Sequence, residues 1–175
     1  MGGYYTLAEV NALLDSLSTS DTLGIVSPVD SIGAGRQGRA IRAIRIADES
    51  QVDHSRPRVL FTALTHAREP GGMQALFHFM DRLISNYGSD PNLTYLVNHR
   101  EIWFVPCVNP DGYQRNEDTY VNSGSFGLWR KNLRDNDASG TITNADGVDN
   151  NRNFGFQWGF DNTGSSPTSS SQTYR

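Results

Sequence analysis

The stretch from Val59 to Gly88 limits what this chain can fold into more than any other. Val59, Leu60, Phe61, Ala63 and Leu64 make a short, nearly continuous apolar run, the pattern of a strand buried on both faces of a parallel sheet. The run ends at His66. From Pro70 the period changes: Met73, Leu76, Phe77, Met80, Leu83, Ile84 and Tyr87 recur at helical spacing, and Gly88 follows. That predicts an amphipathic helix whose first residue is Pro70. Proline biases the residue before it toward extended backbone, so Glu69 falls in a turn and His66-Ala67-Arg68-Glu69 is a strand-to-helix loop. In open α/β sheets ligands are held at such a loop, and an imidazole plus a carboxylate are two of the three protein ligands of a catalytic zinc. Taken alone, His-x-x-Glu is a pattern that chance supplies often, and a solvated surface turn is its bland alternative.

With 175 residues, 37% of them hydrophobic and 19% charged, the chain suits one globular domain or a large piece of one. Its net charge of -4 provides no basic footprint, which argues against nucleic acid as a partner. Cys107 is the sole cysteine and sits in the apolar run from Ile102 to Val108, so no internal disulfide forms and a buried small hydrophobe is expected there. No apolar run approaches a membrane span, and the first residues lack the regions of a signal peptide. A membrane is therefore not expected as a partner.

Met1 to Thr6 fits an N-myristoylation pattern, but Thr6-Leu7-Ala8-Glu9 also fits a capping box before Leu7, Val10, Leu13, Leu14 and Leu17, and the helix explains more residues. Gly33-Ala34-Gly35-Arg36-Gln37-Gly38 matches a dinucleotide fingerprint, with Asp53 at the spacing of the ribose-binding acid. Its flanks are wrong, because a half-exposed strand follows where a helix should open, so the glycines are read as a hairpin turn. A short helix over 92–98 and a second buried strand from Glu101 to Val108 are expected next, the latter ending at the turn signal Asn109-Pro110-Asp111-Gly112. His78 and His99 read as structural or solvated. Beyond Asn109 the periodicity fades into a long irregular stretch, and 163–175 is Ser-rich and reads as an exposed loop or a frayed end.

Four ordered motifs then stand together: His66-Ala67-Arg68-Glu69, Asn109-Pro110-Asp111-Gly112-Tyr113, Trp129-Arg130-Lys131-Asn132 and Gly147-Val148-Asp149-x-Asn151-Arg152-Asn153-Phe154. This set resembles the zinc metallocarboxypeptidases of the carboxypeptidase A/B type. The resemblance implies an α/β fold with a mixed, largely parallel central sheet flanked by helices, of which residues 1–175 would be the N-terminal portion of a single catalytic domain. It implies His66 and Glu69 as zinc ligands, Arg130 as the oxyanion-stabilising cation, and Arg68 as a contact to substrate beyond the scissile bond. It further implies Asn151 and Arg152 as the clamp for the substrate's terminal carboxylate, and Asp149 as the acceptor that orients the His66 imidazole. Lys131 and Arg134 are expected to be solvated surface charges. Asn150 departs from the family pattern, in which an apolar residue is common at that place, and this bears on local packing.

The family's third zinc ligand and general-base glutamate fall later in its sequences, and residues 154–175 contain neither His nor Glu. These 175 residues alone are therefore expected to bind zinc weakly and to lack peptidase activity. The function implied for the whole is hydrolysis of the C-terminal peptide bond of peptides or proteins by a monomeric, secreted or extracytoplasmic enzyme. The rivals are a related zinc amidohydrolase, deacylase or cell-wall peptide hydrolase, and a non-catalytic binding module. One further pattern comes from the residues themselves. Asp135, Asp137, Ser139 and Asp146 stand at positions 1, 3, 5 and 12 of a stretch with Gly140 at position 6, close to a calcium loop. Two readings follow, a calcium site and a polar turn rich in Asn and Asp.

Overall fold

The computed structural model describes residues 2–51 and 55–175. Met1 of the acylation pattern and Asp53 of the dinucleotide pattern lie outside the described residues. In chain order the elements are α1 (Leu7–Thr19), β1 (Asp30–Ala34), β2 (Ala40–Ile46), β3 (Arg58–Thr62), α2 (Gly71–Ser85), α3 (Pro91–His99), β4 (Glu101–Val105) and α4 (Pro110–Ser123). The strands form one sheet in the order β1-β2-β4-β3. The sheet is mixed and flanked by helices, as expected. Parallel pairing among the described strands is confined to β3 and β4, which α2 and α3 connect, whereas the β1–β2 hairpin and the β2–β4 ladder are antiparallel.

Local chemistry explains where the elements begin. The Thr6 hydroxyl accepts from the Glu9 N–H at 3.1 Å and the Glu9 carboxylate accepts from the Thr6 N–H at 2.7 Å, so the capping box opens α1. The glycine-rich segment is a hairpin turn, closed by a bond from Gly35 N–H to the Arg39 carbonyl at 2.8 Å. The turn does hold an anion, but the anion is the chain's own. The Asp111 carboxylate accepts from Gln37 N–H at 2.8 Å and from Arg39 Nη1 at 3.0 Å, and a Cβ on Gly35 would lie 2.2 Å from Asp111 Oδ2. Only glycine leaves room for that carboxylate.

The core lies between the sheet and the helices, around Leu14, Ile25, Ile44, Ile46, Met73, Met80, Leu83, Phe104 and Tyr113. Cys107 is buried among them, and burial pushes its thiol up to about 12, which makes it an inert core group. Among the described residues no helix is long and apolar enough to cross a membrane.

Three expectations need correction. The strand read as buried on both faces, β3, leaves Val59 39% and Leu60 63% exposed. Its inner side packs, with Phe61 stacked on Phe104 at 5.6 Å, but among the described strands it bonds to β4 alone and stands at the sheet edge. The run of apolar residues reports what the strand's side chains would tolerate, and the neighbours decide what is covered. Among the described strands β4 is paired on both sides, with Ile102, Phe104 and Val105 buried.

The second correction concerns Asn109-Pro110-Asp111-Gly112, which does not end regular structure but starts the 14-residue α4. Asn109 caps it, its Oδ1 accepting from Gly112 N–H at 3.1 Å, and Pro110 takes the first turn. An Asn-Pro pair is a turn signal and a helix start alike. The buried stripe of α4 contains Asp111 and Asn116 beside Tyr113, so hydrophobic periodicity is silent about it.

Third, of the two readings of 163–175 the exposed loop holds and the frayed end does not. Asp149 N–H donates to Tyr174 O at 2.8 Å and the Lys131 ammonium donates to Ser169 O at 2.7 Å, holding the segment against the loops before it.

Between β3 and α2 the backbone makes one strained turn. Leu64 has φ 51 and is 2% exposed, a left-handed conformation that leucine adopts only where its surroundings impose it. Here the neighbours are the Asn109 N–H, which donates to the Leu64 carbonyl at 3.1 Å, and the Val108 N–H, which donates to Ala63 at 3.0 Å.

Candidate functional site

Past Leu64 the chain runs through His66 to Glu69, and α2 begins at Gly71 with Pro70 in the capping position. This loop lies against the segment carrying Trp129 and Arg130, with Ala67 N–H donating to the Arg130 carbonyl at 3.1 Å. His66 is buried, its Nδ1 lying 3.1 and 3.0 Å from the two carboxylate oxygens of Glu69, and its Nε2 3.0 Å from Asp149 Oδ1. The other oxygen of Asp149 accepts from Arg130, at 3.2 Å from Nε and 2.9 Å from Nη2. Arg130 Nη1 stands 3.5 Å from Glu69 Oε1. His66, Glu69, Arg130 and Asp149 thus form a closed ring of side chains drawn from sites far apart in the sequence.

Asp149 is fully buried, and its first oxygen also accepts the Asn151 N–H at 2.9 Å. Burial is the largest single influence on its carboxyl and would raise its pKa. The Arg130 hydrogen bonds, the Asn151 N–H and the charges of Arg130 and His66 together outweigh it, so the pKa is held below the ordinary aspartate value. An ionised Asp149 fixes the His66 tautomer, since Nε2 must carry the proton it donates. The lone pair on Nδ1 then faces an acceptor, the Glu69 carboxylate, across 3.0 Å. A proton or a metal cation between them would complete that pairing, and an imidazole nitrogen with a carboxylate oxygen is a donor set suited to zinc. Among the described residues the one cluster of three His, Cys, Asp or Glu side chains that could hold a metal is elsewhere, at Asp135, Asp137 and Asp146.

The remaining candidates lie around this ring. Arg68 reaches Gln172 Oε1 at 3.4 Å. Asn151 and Arg152 form the short helical turn 150–152 that Asp149 caps, and Arg152 donates to Gly164 O at 2.6 Å and Asn151 O at 2.8 Å. Asn150 accepts from Asn132 Nδ2 at 3.1 Å, so a polar pair stands where the family pattern commonly has an apolar residue.

Lys131 contradicts its reading as a solvated charge. It is 1% exposed, its ammonium bonds to Ser169 O, and burial lowers its pKa against the opposing charges of Asp146 and Asp149. A fully buried lysine is rare enough that no pattern in the sequence would suggest it. Arg134 is exposed, as expected.

In the acidic loop the carboxylates of Asp135, Asp137 and Asp146 offer oxygens that lie within 4.8 Å of one another. Loop N–H groups already use them: Gly140 donates to Asp135, Ser139 to Asp137, and Asn136 and Thr143 to Asp146. The Ser139 hydroxyl is turned to Thr141 O at 3.2 Å.

Known proteins resemble this arrangement. A family profile described as zinc carboxypeptidase matches residues 11–175. A zinc carboxypeptidase of Saccharothrix mutabilis subsp. capreolus is 36% identical over 157 residues, covering 90% of this chain and 33% of its own. An inactive metallocarboxypeptidase, ECM14, of Ajellomyces capsulatus (strain H143) is 33% identical over 138 residues, covering 78% of this chain and 21% of its own. The solved carboxypeptidase A from Helicoverpa armigera superposes with a TM-score of 0.73 at 29% identity, over 98% of this chain and 38% of that one. The chain spans between about a fifth and about a third of the length of the curated relatives it matches.

Proposed function

The chain belongs to the zinc carboxypeptidase family, and from that premise we propose that its protein removes the C-terminal residue of peptides or proteins. The observation that carries this reading is the ring of His66, Glu69, Asp149 and Arg130, which sets two metal donors beside a guanidinium. Zinc, when bound there, polarises the scissile carbonyl as a Lewis acid. His66 presents Nδ1 and Glu69 its carboxylate as protein ligands. Asp149 keeps the His66 proton on Nε2 and grips one edge of the Arg130 fork. The guanidinium is thereby aimed at the negative charge that develops on the carbonyl oxygen. Asn151 and Arg152 take the free carboxylate of the substrate, and Arg68 the residues before the scissile bond. The enzyme acts outside the cytoplasm, which fractionation of the source cells tests, and as a monomer, which its sedimentation tests.

Carboxylate recognition separates this reading from its nearest rival. In the longest natural form of the protein, Arg152→Ala should remove charge-assisted hydrogen bonds worth about 1.5–3 kcal/mol, weakening free-acid peptides roughly tenfold to a hundredfold. C-terminal amides should be poor substrates of the unmodified enzyme. Steady-state kinetics on a matched acid and amide decides, because equal turnover of both would replace the peptidase with an amidohydrolase. The relative named inactive favours a second reading, a binding module on the same fold. Absence of both zinc uptake and peptide cleavage in the longest form would establish that one.

The finer metal reading is calcium at Asp135, Asp137 and Asp146, supported by three carboxylates close enough to repel one another. Calcium at one hundred times its Kd should raise the Tm by about 5–10 °C, and Asp137→Ala should abolish the rise. A Tm indifferent to calcium and to chelator leaves the loop as a polar turn.

A further inference from the structure

We propose that Asn116 is a positioning residue that fixes the metal loop and the Arg130 segment relative to each other. Asn116 lies in α4 and is 1% exposed. Both ends of its amide are used. Nδ2 donates to the Ala67 carbonyl at 2.9 Å and to the Trp129 carbonyl at 2.9 Å, while Oδ1 accepts from the Trp129 N–H at 2.8 Å. Ala67 is the residue after His66, and Trp129 is the residue before Arg130. One planar group therefore ties the backbone beside a metal donor to the backbone beside the oxyanion cation. Its own main-chain carbonyl accepts from Gly127 N–H at 3.3 Å.

The surroundings are shaped to this amide. A Cβ at Gly127 would stand 2.5 Å from Asn116 Oδ1 and 2.8 Å from its Cα, so a side chain there would displace the link. Two donors and one acceptor in a plane are what a carboxamide supplies. Aspartate keeps the acceptor and loses both donors, and a hydroxyl keeps one donor. Asn116 touches neither zinc nor substrate in the reading above, on which this inference rests, and it acts through the distance between groups that do. Errors of about 1 Å in such placement cost on the order of a hundredfold in rate.

The test uses the longest natural form with Asn116→Asp and Asn116→Ser. The readouts are kcat and KM on a free-acid peptide, zinc affinity by chelator competition, and exchange of the Trp129 amide in metal-free protein. The expected result is a fall in kcat of about tenfold to a hundredfold at nearly constant KM, weaker zinc by about tenfold, and faster Trp129 exchange. If Asn116→Asp does not fold, the serine variant, which brings no new charge, decides. Variants that melt earlier yet keep kcat and zinc affinity at the unmodified level would show Asn116 to be a packing residue and overturn the proposal. A His66→Ala control separates the two failures: if it leaves zinc affinity unchanged, the zinc assignment falls, and the Asn116 inference with it.

Discussion

Arg130→Ala is expected to lower kcat on a free-acid peptide about 10²- to 10³-fold while KM stays nearly constant. The argument begins with its hydrogen bonds. Asp149 holds Nε and Nη2, so the fork is immobilised before substrate arrives and costs little reorganisation when charge develops. Its side chain is 12% exposed, which keeps the surrounding water sparse and the effective dielectric low. A donor of that kind acts on the transition state more than on the bound peptide, so its loss falls on kcat. Arg130→Lys should not rescue the rate, because a point charge cannot be gripped along one edge and donate from the other. Single-turnover kinetics on the two variants measures this. A loss confined to KM would move Arg130 from the oxyanion to substrate binding.

Asp149→Ala should do damage of a different kind, to stability and metal binding together. Its carboxylate is 0% exposed and serves both Arg130 and His66. Removing it strands a mostly buried guanidinium, a change that costs about 3–5 kcal/mol, and frees the His66 ring to rotate, which weakens zinc by about tenfold to a hundredfold. Asp149→Asn should retain much of the stability and little of the metal affinity, since the amide fills the space but no longer fixes the tautomer. Because the Asp149 pKa is lowered on folding, its stabilising contribution is fully present above the ordinary aspartate value near 4. It is lost as pH falls from there through the lower folded value. Denaturant melts of the wild type and Asp149→Asn should therefore differ most above about pH 4 and converge in stronger acid; parallel curves throughout would show that Asp149 carries no such linkage.

Much of this site was legible because its chemistry sits in short, ordered segments. The loop position of His66 and Glu69 follows from a change of period at a proline, while the roles given to them and to Asp149, Asn151 and Arg152 came only from the resemblance of the ordered motifs. The fold was legible where burial is apolar, as in α2 and β4. It was not legible where polar groups do the packing. α4 buries Asp111 and Asn116, and Lys131 is enclosed by backbone carbonyls, so hydropathy carries no trace of either. β3 misled in the opposite sense: its residues are apolar enough for an interior, but the exposure of Leu60 depends on what stands beside the strand, which a strand's own sequence does not record. The anion-holding character of the glycine-rich turn was visible as a motif, while its occupant, Asp111, lies far along the chain.

The strained turn at Leu64 has a consequence for the order in which the molecule is made. A residue kept in the left-handed region costs about 1–3 kcal/mol, and at Leu64 the compensation comes from the junction of β4 with α4, through Asn109 and Val108. The segment leading to His66 therefore cannot settle into its shape from local forces. During synthesis it leaves the ribosome well before the residues that hold it. The loop carrying His66 and Glu69 should accordingly stay pliable until β4 has paired and Asn109 has docked. Leu64→Gly would let it settle earlier, at the expense of the buried leucine side chain.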